Sequence, residues 1–333
     1  MFDDNSITLS VVIPIYNEEA NLAYLFERVL ENLQGLNIPY EIICVNDGSR
    51  DRSLQRLIQY HLENPAIKIV SFSRNFGKDI ALSAGLDYVS GAAVIPLDAD
   101  LQDPPELMGC LLEKWRQGYD VVYATRRDRQ GESWLKRLSS GGFYRLLGRV
   151  SDVPIPRDTG DFRLMDRQVV EALKRLPERN RFMKGLFAWV GYRQVAIEYD
   201  RQSRYAGKSK WNYWQLWNFA LDGITAFSSI PLKVWSYLGL GISLVALVYA
   251  VFLVIRTLIS GIDVPGYASL MVAVLFMGGV QLISLGVIGE YLGRVYEEVK
   301  GRPLYLVRDL YGFEGDSNPK GEGPSESDGG GEE

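Results

Sequence analysis

The chain has 333 residues, enough for one large domain or two smaller ones, and its formal net charge is only −5. A charge this close to balance excludes the strongly basic surface on which nucleic-acid binding depends, so no nucleic-acid partner is expected. The single histidine, His61, ends a polar helical pattern, which excludes histidine-based triads and most zinc sites. Cys44 and Cys110 lack partners at metal-ligand spacing, and we interpret both as buried thiols in a reducing compartment.

Short apolar runs alternate with amphipathic helical patterns over the N-terminal part of the chain. The predicted strands are residues 9–16, 40–45, 67–72 and 92–97, and the intervening helices begin near residues 17, 51 and 78. This alternation predicts an α/β fold with a mostly parallel, Rossmann-like sheet that carries helices on both faces. In such sheets, ligands bind beyond the carboxyl ends of the strands.

A polar cluster follows each of the four predicted strands. The clusters are Tyr16-Asn17-Glu18, Asn46-Asp47-Gly48-Ser49, Arg74-Asn75-Phe76-Gly77-Lys78 and Asp98-Ala99-Asp100. Each cluster alone is also typical of a turn or a helix N-cap. Because the carboxyl ends of parallel strands lie at one edge of a sheet, their convergence predicts a binding site.

Two carboxylates, Asp98 and Asp100, stand one residue apart directly after the fourth strand. They repel each other and are costly to desolvate, so a compensating cation is expected beside them. Mg²⁺ or Mn²⁺ is the natural candidate, because such ions use one or two carboxylates and complete their shell with water and substrate phosphates. The pattern predicts an Asp-x-Asp diphosphate clamp. The alternative is that Asp98 only ends the strand while Asp100 and Asp103 cap the next helix.

The segment between residues 125 and 150 is basic. It contains Arg126, Arg127, Arg129, Lys136, Arg137, Arg145 and Arg149, against Asp128 and Glu132. A basic run is often a solvated helix face, but this one follows a strand end and therefore predicts an anionic partner beside the acidic cluster. Two more carboxylates, Asp158 and Asp161, come shortly after it.

The C-terminal third has the composition of a membrane protein. Residues 211–221 carry three tryptophans and suit the headgroup level of a bilayer. Residues 234–255 and 267–288 are uncharged and long enough to cross a hydrocarbon core of about 30 Å, so two transmembrane helices are predicted. Lysines precede the first span and arginines follow the second. By the positive-inside rule, both ends are expected in the cytoplasm. Glycines along the second span favour close helix contact and a homo-oligomer.

A reaction between a soluble diphosphate donor and an anionic, membrane-bound acceptor would require the acidic cluster, the basic segment and the membrane segments together. The residues therefore predict transfer of a sugar from a nucleotide-sugar to a lipid phosphate. A metal ion would stabilise the charge on the departing diphosphate. The acceptor phosphate is already an anion, so arginines that position it matter more than a strong general base.

The motifs in series resemble those of family 2 inverting glycosyltransferases. Within that family the chain is similar to the polyprenyl-phosphate glycosyltransferases, which include dolichol-phosphate mannose synthases and bacterial bactoprenol glucosyltransferases. The motifs are Val12-Ile13-Pro14-Ile15-Tyr16-Asn17-Glu18, Val45-Asn46-Asp47-Gly48-Ser49, Arg74-Asn75-Phe76-Gly77-Lys78, Asp98-Ala99-Asp100-Leu101-Gln102-Asp103-Pro104-Pro105 and Arg204-Tyr205-Ala206-Gly207-Lys208-Ser209-Lys210. The likeness covers about residues 9–305 and implies a nucleotide-sugar-binding fold of the GT-A type.

The resemblance implies a role for each of several residues. The nucleotide-sugar would be bound by Pro14, Tyr16, Glu18, Asp47, Lys78, Asp98, Arg204 and Lys208. The metal, Mg²⁺ or Mn²⁺, would be held by Asp98, Asp100 and Gln102, and the lipid phosphate by Arg126, Arg137 and Ser140. The catalytic candidates are Asp98, Asp100, Asp158 and Asp161. The alternative for the last two is that they cap and tether their loop.

The segment Arg157–Arg163 departs from the Thr-Ser-Gly-Phe form usual in mannose synthases. This departure favours glucose from UDP-glucose over mannose, with mannose or another sugar as the alternative. A non-enzymatic, membrane-anchored nucleotide-sugar-binding protein is a further alternative.

The likeness and the composition together divide the chain into segments and predict its location. The segments are a cytoplasmic catalytic domain at 1–210, amphipathic interface helices at 211–232, two transmembrane helices with a short external loop at 233–293, a cytoplasmic segment at 294–311 and a disordered tail at 312–333. The short, acidic N-terminus does not resemble a signal peptide. We therefore expect an integral protein of the bacterial inner membrane, with the catalytic domain and both termini in the cytoplasm.

Overall fold

The structure is a computed structural model, and it describes residues 7–126, 159–176, 178–179, 181, 183–199, 230–260 and 266–313. Its strands are β1 (Leu9–Ile15), β2 (Tyr40–Asn46), β3 (Ile67–Phe72), β4 (Ala93–Pro96), β5 (Val121–Arg126), β6 (Thr159–Asp166), β7 (Gln194–Tyr199) and β8 (Val307–Tyr311). Its helices are α1 (Leu22–Gly35), α2 (Ser53–Glu63), α3 (Lys78–Tyr88), α4 (Met108–Arg116, after a 3-10 turn at Pro105–Leu107), α5 (Arg167–Lys174), α6 (Met183–Trp189), α7 (Ile230–Ser260) and α8 (Tyr267–Lys300).

The described strands form one sheet in the order β7-β5-β6-β4-β1-β2-β3-β8. Strands β4, β1, β2 and β3 are parallel neighbours, and β5 is parallel to β7. Strand β6 runs antiparallel between β4 and β5, and β8 runs antiparallel along β3. The predicted mostly parallel α/β sheet is confirmed.

Helices cover both faces of the sheet because side chains alternate along each strand. Ile13 belongs to a buried cluster with Leu25 and Phe26 of α1 on one face. Val12 belongs to the cluster on the other face, where α3 approaches so closely that a Cβ at Gly85 would lie 2.2 Å from Val12 Cγ1. The parallel strands are therefore apolar on both sides, which fixes their position in the centre of the sheet.

The buried carboxylate of Glu41 connects three elements at the amino-terminal ends of the parallel strands, opposite the predicted site. Glu41 is 1% exposed, and its Oε1 accepts hydrogen bonds from Ser10 Oγ at 2.6 Å and from the Ser90 amide at 2.5 Å. Its Oε2 forms an ion pair with Lys68 Nζ at 2.8 Å. Because Glu41 is so well buried, removing its charge leaves these donors poorly satisfied.

The substitution Glu41→Gln is expected to destabilise the protein by about 2 kcal/mol, since hydrogen bonds to a charged group are worth roughly 1.5–3 kcal/mol. The thermal unfolding midpoint of the detergent-solubilised protein measures this effect. Glu113→Gln, on the exposed side of α4, is the matched control and should change stability by less than about 0.5 kcal/mol. Equal midpoints for the two variants would contradict the structural role of Glu41.

The chain returns from α8 to the α/β domain through β8. The Tyr305 ring stacks on Phe72 of β3 with centroids 5.0 Å apart, and its hydroxyl donates to Asp87 Oδ2 at 2.8 Å. The Arg179 amide donates to Glu298 Oε1 of α8 at 2.7 Å. These contacts attach the end of α8 to the sheet and to α3. The sequence patterns did not predict strand β8.

Both segments predicted to span a membrane are helical, within α7 and α8, and carry many exposed large apolar side chains. Among the described residues, one stretch, Phe276–Lys300, is both long and apolar enough to cross a membrane. The prediction of two spans is therefore supported for one helix only. Residues 211–229 and the tail from residue 314 lie outside the described residues.

The prediction that both cysteines are buried was wrong for Cys110. Cys44 is buried in β2, but Cys110 is exposed on α4. The apolar face of α4 carries Met108, Leu111 and Leu112, which are buried. Residue 110 points away from that face, because successive helix positions differ by about 100°.

Candidate active site

The first three strand ends are tied together at the predicted edge of the sheet. The Asn17 amide donates to Ser49 Oγ at 3.1 Å, and the Glu18 amide donates to Ser53 Oγ at 3.0 Å, which joins the ends of β1 and β2. Asn46 Nδ2 donates to Ser71 Oγ of β3 at 3.0 Å. The serine hydroxyls thus accept hydrogen bonds from backbone amides and side chains of adjacent loops, which fixes the conformation of these loops.

Asp47 connects the end of β2 to the loop that begins α3. Its carboxylate is 2% exposed and accepts from the amides of Phe76, at 2.6 Å, and Gly77, at 3.0 Å, and from Asn75 Nδ2, at 2.8 Å. Burial raises the pKa of Asp47, while these two amides and the nearby Arg74 lower it. Asp47 therefore fixes the backbone at the start of α3, and its predicted contact with the nucleotide stays a prediction.

Only glycine fits after Asp47. Gly48 has φ +62°, and a Cβ there would lie 2.4 Å from the carbonyl carbon of Arg74. Most L-residues avoid that region of φ, and the contact with backbone could not be relieved by a side-chain rotation. The close approach of the two loops thus depends on the glycine of the Asn-Asp-Gly-Ser motif.

Lys78 joins two carboxylates that are far apart in sequence. It is the first residue of α3, and its Nζ lies 2.7 Å from Asp98 Oδ1 and 2.8 Å from Oδ2. The same ammonium lies 2.6 Å from Asp161 Oδ2 on β6. The structure therefore brings the third and fourth polar clusters together with one of the two later carboxylates, Asp161.

The pKa values of Asp98 and Lys78 are shifted because several charged side chains lie close together. Burial raises the pKa of Asp98, Lys78 lowers it, and the nearby charges of Asp161 and Asp100 raise it again, with a net increase. Burial by itself would lower the pKa of Lys78, but the carboxylates of Asp161 and Asp98 outweigh burial and raise it above its usual value. The ammonium is thus held in its charged form by the two carboxylates it joins.

A second cation, Arg163, lies behind Asp161 on the same face of β6. It is 5% exposed, its guanidinium lies 4.0 Å from the centroid of the Phe187 ring, and its Nη2 donates to Gly160 O at 3.0 Å. Burial lowers the pKa of Arg163 to about 10, and the charge of Asp161 opposes that change. Arg163 remains protonated at neutral pH and balances part of the carboxylate charge.

The loop after β4 is shaped by local bonds that differ from a helix cap. Asp100 Oδ1 accepts from the Gln102 amide at 3.2 Å, and Leu101 between them has φ +51°. Asp103 is 4% exposed and accepts a hydrogen bond from the Tyr199 hydroxyl. No side chain caps the 3-10 turn or α4, so the alternative in which Asp100 and Asp103 serve as helix caps is not realised.

The residues present fit a hard divalent cation. Asp98, Asp100 and Asp161 supply three negative charges near Lys78 and Arg163, which leaves an excess of one. No three His, Cys, Asp or Glu side chains of the described residues converge as a complete metal cage. The fit therefore rests on the carboxylates Asp98 and Asp100, because Mg²⁺ and Mn²⁺ can bind through one or two carboxylates and complete their shell with water and phosphate oxygens.

The remaining predicted residues fall into two groups. Pro14, Tyr16 and Glu18 lie half-buried at or near the end of β1, on the same edge as Asp98. Arg126 is the last residue of β5, and its side chain lies outside the described residues, as do the whole residues Arg137, Ser140, Asp158, Arg204 and Lys208. The roles assigned to all of these residues stay predictions.

Sequence reasoning missed Arg163 as part of the site. The signal was present, because residues 161 and 163 share one face of a strand by the two-residue period. Residues 157–163 were interpreted as a loop, whereas the structure has strand β6 at Thr159–Asp166, so that period was not applied.

Comparison with known proteins identifies the family. The chain is 67% identical over 309 residues to an uncharacterised glycosyltransferase of Synechocystis, with 93% of this chain and 97% of the relative covered. Residues 10–174 match the family model described as glycosyl transferase family 2. The chain belongs to glycosyltransferase family 2. The enzyme's C-terminal part, residues 230–295, also matches the model of the GtrB C-terminal hairpin, and these residues include most of α7 and α8.

Two further relatives of this family 2 glycosyltransferase are named after bactoprenol glucosyl transfer. The chain is 48% identical over 300 residues to a prophage-derived bactoprenol glucosyl transferase of Shigella flexneri, covering 90% of this chain and 97% of the relative. It is 46% identical over 300 residues to a prophage bactoprenol glucosyl transferase homologue of Escherichia coli, covering 90% and 98%. The predicted family and the prediction that the chain is an enzyme are confirmed.

Proposed function

We propose that this family 2 glycosyltransferase transfers glucose from UDP-glucose to a polyprenyl phosphate, of the undecaprenyl or dolichyl type, with inversion at the anomeric carbon. The observation that carries the proposal is the cluster of Asp98, Asp161 and Lys78 at the carboxyl edge of the sheet, where open α/β sheets bind nucleotides. The printed activity of the Shigella flexneri relative, bactoprenol glucosyl transfer, supports both the lipid phosphate and the sugar.

The donor would bind with its diphosphate at the end of β4. Asp98, Asp100 and Gln102 would hold a Mg²⁺ or Mn²⁺ ion, which, when bound, would offset the charge that develops on the departing diphosphate. Pro14, Tyr16, Glu18 and Asp47 would contact the nucleoside, and Arg204 and Lys208 would close over the donor. Once the donor is bound, the charges at this edge are already in place, so they stabilise the departing diphosphate without further reorganisation.

The acceptor phosphate would enter beside β5, whose last residue is Arg126. Together with Arg137 and Ser140, this arginine would orient the phosphate oxygen toward the sugar. Asp158 and Asp161 would face the sugar or the acceptor. Because the acceptor is already ionised, the proposal needs no strong general base, in agreement with a sequence whose single histidine, His61, donates from Nδ1 to Ile67 O instead.

The helices α7 and α8 would form a transmembrane hairpin that holds the catalytic domain at the cytoplasmic surface of the bacterial inner membrane. Phe276–Lys300 supports one span by length and apolarity. Five glycines of α8 have open space where a Cβ would lie, which supports close packing between subunits of a homo-oligomer. They are Gly278, Gly279, Gly286, Gly289 and Gly293.

A transfer assay tests the proposal. Membranes that contain the enzyme are incubated with undecaprenyl phosphate and, separately, with radiolabelled UDP-glucose, UDP-N-acetylglucosamine and GDP-mannose. We expect the glucose label to move into the organic phase in a divalent-cation-dependent manner. Transfer of mannose or another sugar instead would support the lipid acceptor but contradict UDP-glucose as the donor. Absence of any organic-soluble product would contradict the proposal.

A further inference from the structure

The contacts that Lys78 makes with two carboxylates indicate a role that binding of the nucleotide-sugar does not explain. Its ammonium contacts both oxygens of Asp98, at 2.7 Å and 2.8 Å, and one oxygen of Asp161 at 2.6 Å. A divalent cation bound to the same carboxylate would lie close to this ammonium and be repelled by it, since Mg²⁺ lies about 2.0–2.1 Å from its oxygen ligands. Lys78 and a divalent cation therefore cannot both make their best contacts with Asp98.

Without a metal ion, the carboxylates need this cation. Asp98 and Asp161 are 30% and 11% exposed, and Asp100 adds a third carboxylate two residues after Asp98. Like charges on partly buried groups would push the ends of β4 and β6 apart. The ammonium of Lys78 holds these two strand ends together, and it comes from a third element, α3.

The Lys78 side chain can leave Asp98 without a movement of α3. Its side chain is 46% exposed, whereas Arg163, the other cation of the group, is 5% exposed and fixed against Phe187. The backbone at the start of α3 is held separately, because the amide of Gly77 donates to Asp47 at 3.0 Å. Lysine carries its charge on a flexible stem, so a change of rotamer alone moves the ammonium.

We propose that Lys78 is an exchangeable internal cation, which neutralises Asp98 and Asp161 in the metal-free enzyme and gives up Asp98 to the divalent cation when the donor binds. The released ammonium then pairs with the donor's diphosphate while it stays near Asp161. Each state is close to charge balance, since the donor's negative charge arrives together with the metal ion. The proposal rests on the metal-dependent function proposed above.

The test is the affinity of the full-length, detergent-solubilised enzyme for Mn²⁺ without a nucleotide, measured by the electron paramagnetic resonance signal of free Mn²⁺. Because Lys78→Met removes a competing positive charge, we expect it to bind Mn²⁺ about tenfold more tightly than the wild type. In the presence of UDP, we expect this advantage to shrink or reverse, since the variant lacks the ammonium that pairs with the diphosphate.

Matched variants separate exchange from a general charge effect. Lys114→Met makes the same change at a half-buried position on α4, where the ammonium contacts Gln117 Oε1 at 3.1 Å, and should leave Mn²⁺ affinity unchanged. Lys78→Arg keeps the charge and should stay within about twofold of the wild type. Lys78→Gln serves in place of Lys78→Met if the latter elutes as an aggregate in gel filtration.

The outcomes distinguish this inference from the function on which it rests. If the wild type binds Mn²⁺ but neither neutral variant binds it more tightly, the exchange is wrong while the metal assignment stands. If the wild type binds no Mn²⁺ with or without UDP-glucose, both the exchange and the metal-dependent function are wrong. Equal tightening in Lys114→Met would also overturn the exchange, because the effect would then follow net charge alone.

Discussion

Replacing Asp100 with asparagine is expected to reduce sugar transfer by at least about 10²-fold, the size of effect seen when one group that stabilises transition-state charge is removed. The substitution deletes one of the carboxylates that would hold the divalent cation. It preserves the local fold, because an asparagine oxygen can still accept from the Gln102 amide, now 3.2 Å from Asp100 Oδ1. The loss should therefore appear in catalysis and in Mn²⁺ affinity while the thermal midpoint stays near that of the wild type.

Transfer of labelled glucose into the organic phase measures the loss directly, with Mn²⁺ binding as a second readout. Asp309→Asn is the matched control, since Asp309 lies on the edge strand β8, paired with Arg308 and away from the carboxylate cluster. Undiminished transfer by Asp100→Asn would contradict the metal assignment. It would favour a site in which Lys78 and Arg163 alone balance the diphosphate.

Replacing Asp161 with asparagine is expected to impair both activity and stability. The carboxylate forms an ion pair with Lys78, and its charge also opposes the effect of burial on the pKa of the nearby Arg163, so its loss removes a charge that compensates a buried guanidinium. A buried charge that has lost its compensating charge destabilises a protein by about 3 kcal/mol. For a domain of this size, we expect the thermal midpoint to fall by about 6–12 °C.

A double variant separates the two effects. Asp161→Asn combined with Arg163→Met removes both charges, leaves no uncompensated buried cation, and should recover most of the lost midpoint without recovering transfer. Glu171→Gln is the control, because the Glu171 side chain is 43% exposed and its ion pairs with Arg167 and Lys174, within one helix, contribute about 0–1 kcal/mol. If the double variant is as unstable as Asp161→Asn alone, the charge explanation fails and packing around β6 explains the loss.

Much of the site follows from local sequence signals. The apolar run that ends at Asp98 and Asp100 and the Asn-Asp-Gly-Ser motif after β2 were each predicted at a strand end, and the structure places them on one edge of the sheet. The period-two pattern of a strand and the chemistry of a turn act over a few residues, so they can be read without knowledge of the rest of the chain.

The predictions were less accurate for residues whose burial depends on contacts with other parts of the fold. Cys110 was predicted to be buried by its type, whereas the face of α4 on which it lies decided its exposure. Arg163 is a charged residue that sequence patterns place at the surface, and only the nearby Asp161 and Phe187 explain its burial.

The sequence by itself determined the alternation of strands and helices, the family, and the acidic residues at the end of β4, because these depend on short patterns of polarity and spacing. Only the tertiary structure decided that the antiparallel strand β6 lies beside β4, and hence that Lys78 meets Asp161, 83 residues later in the chain, as well as Asp98. The order of strands in a sheet is set by packing of the whole domain, and no local pattern encodes it.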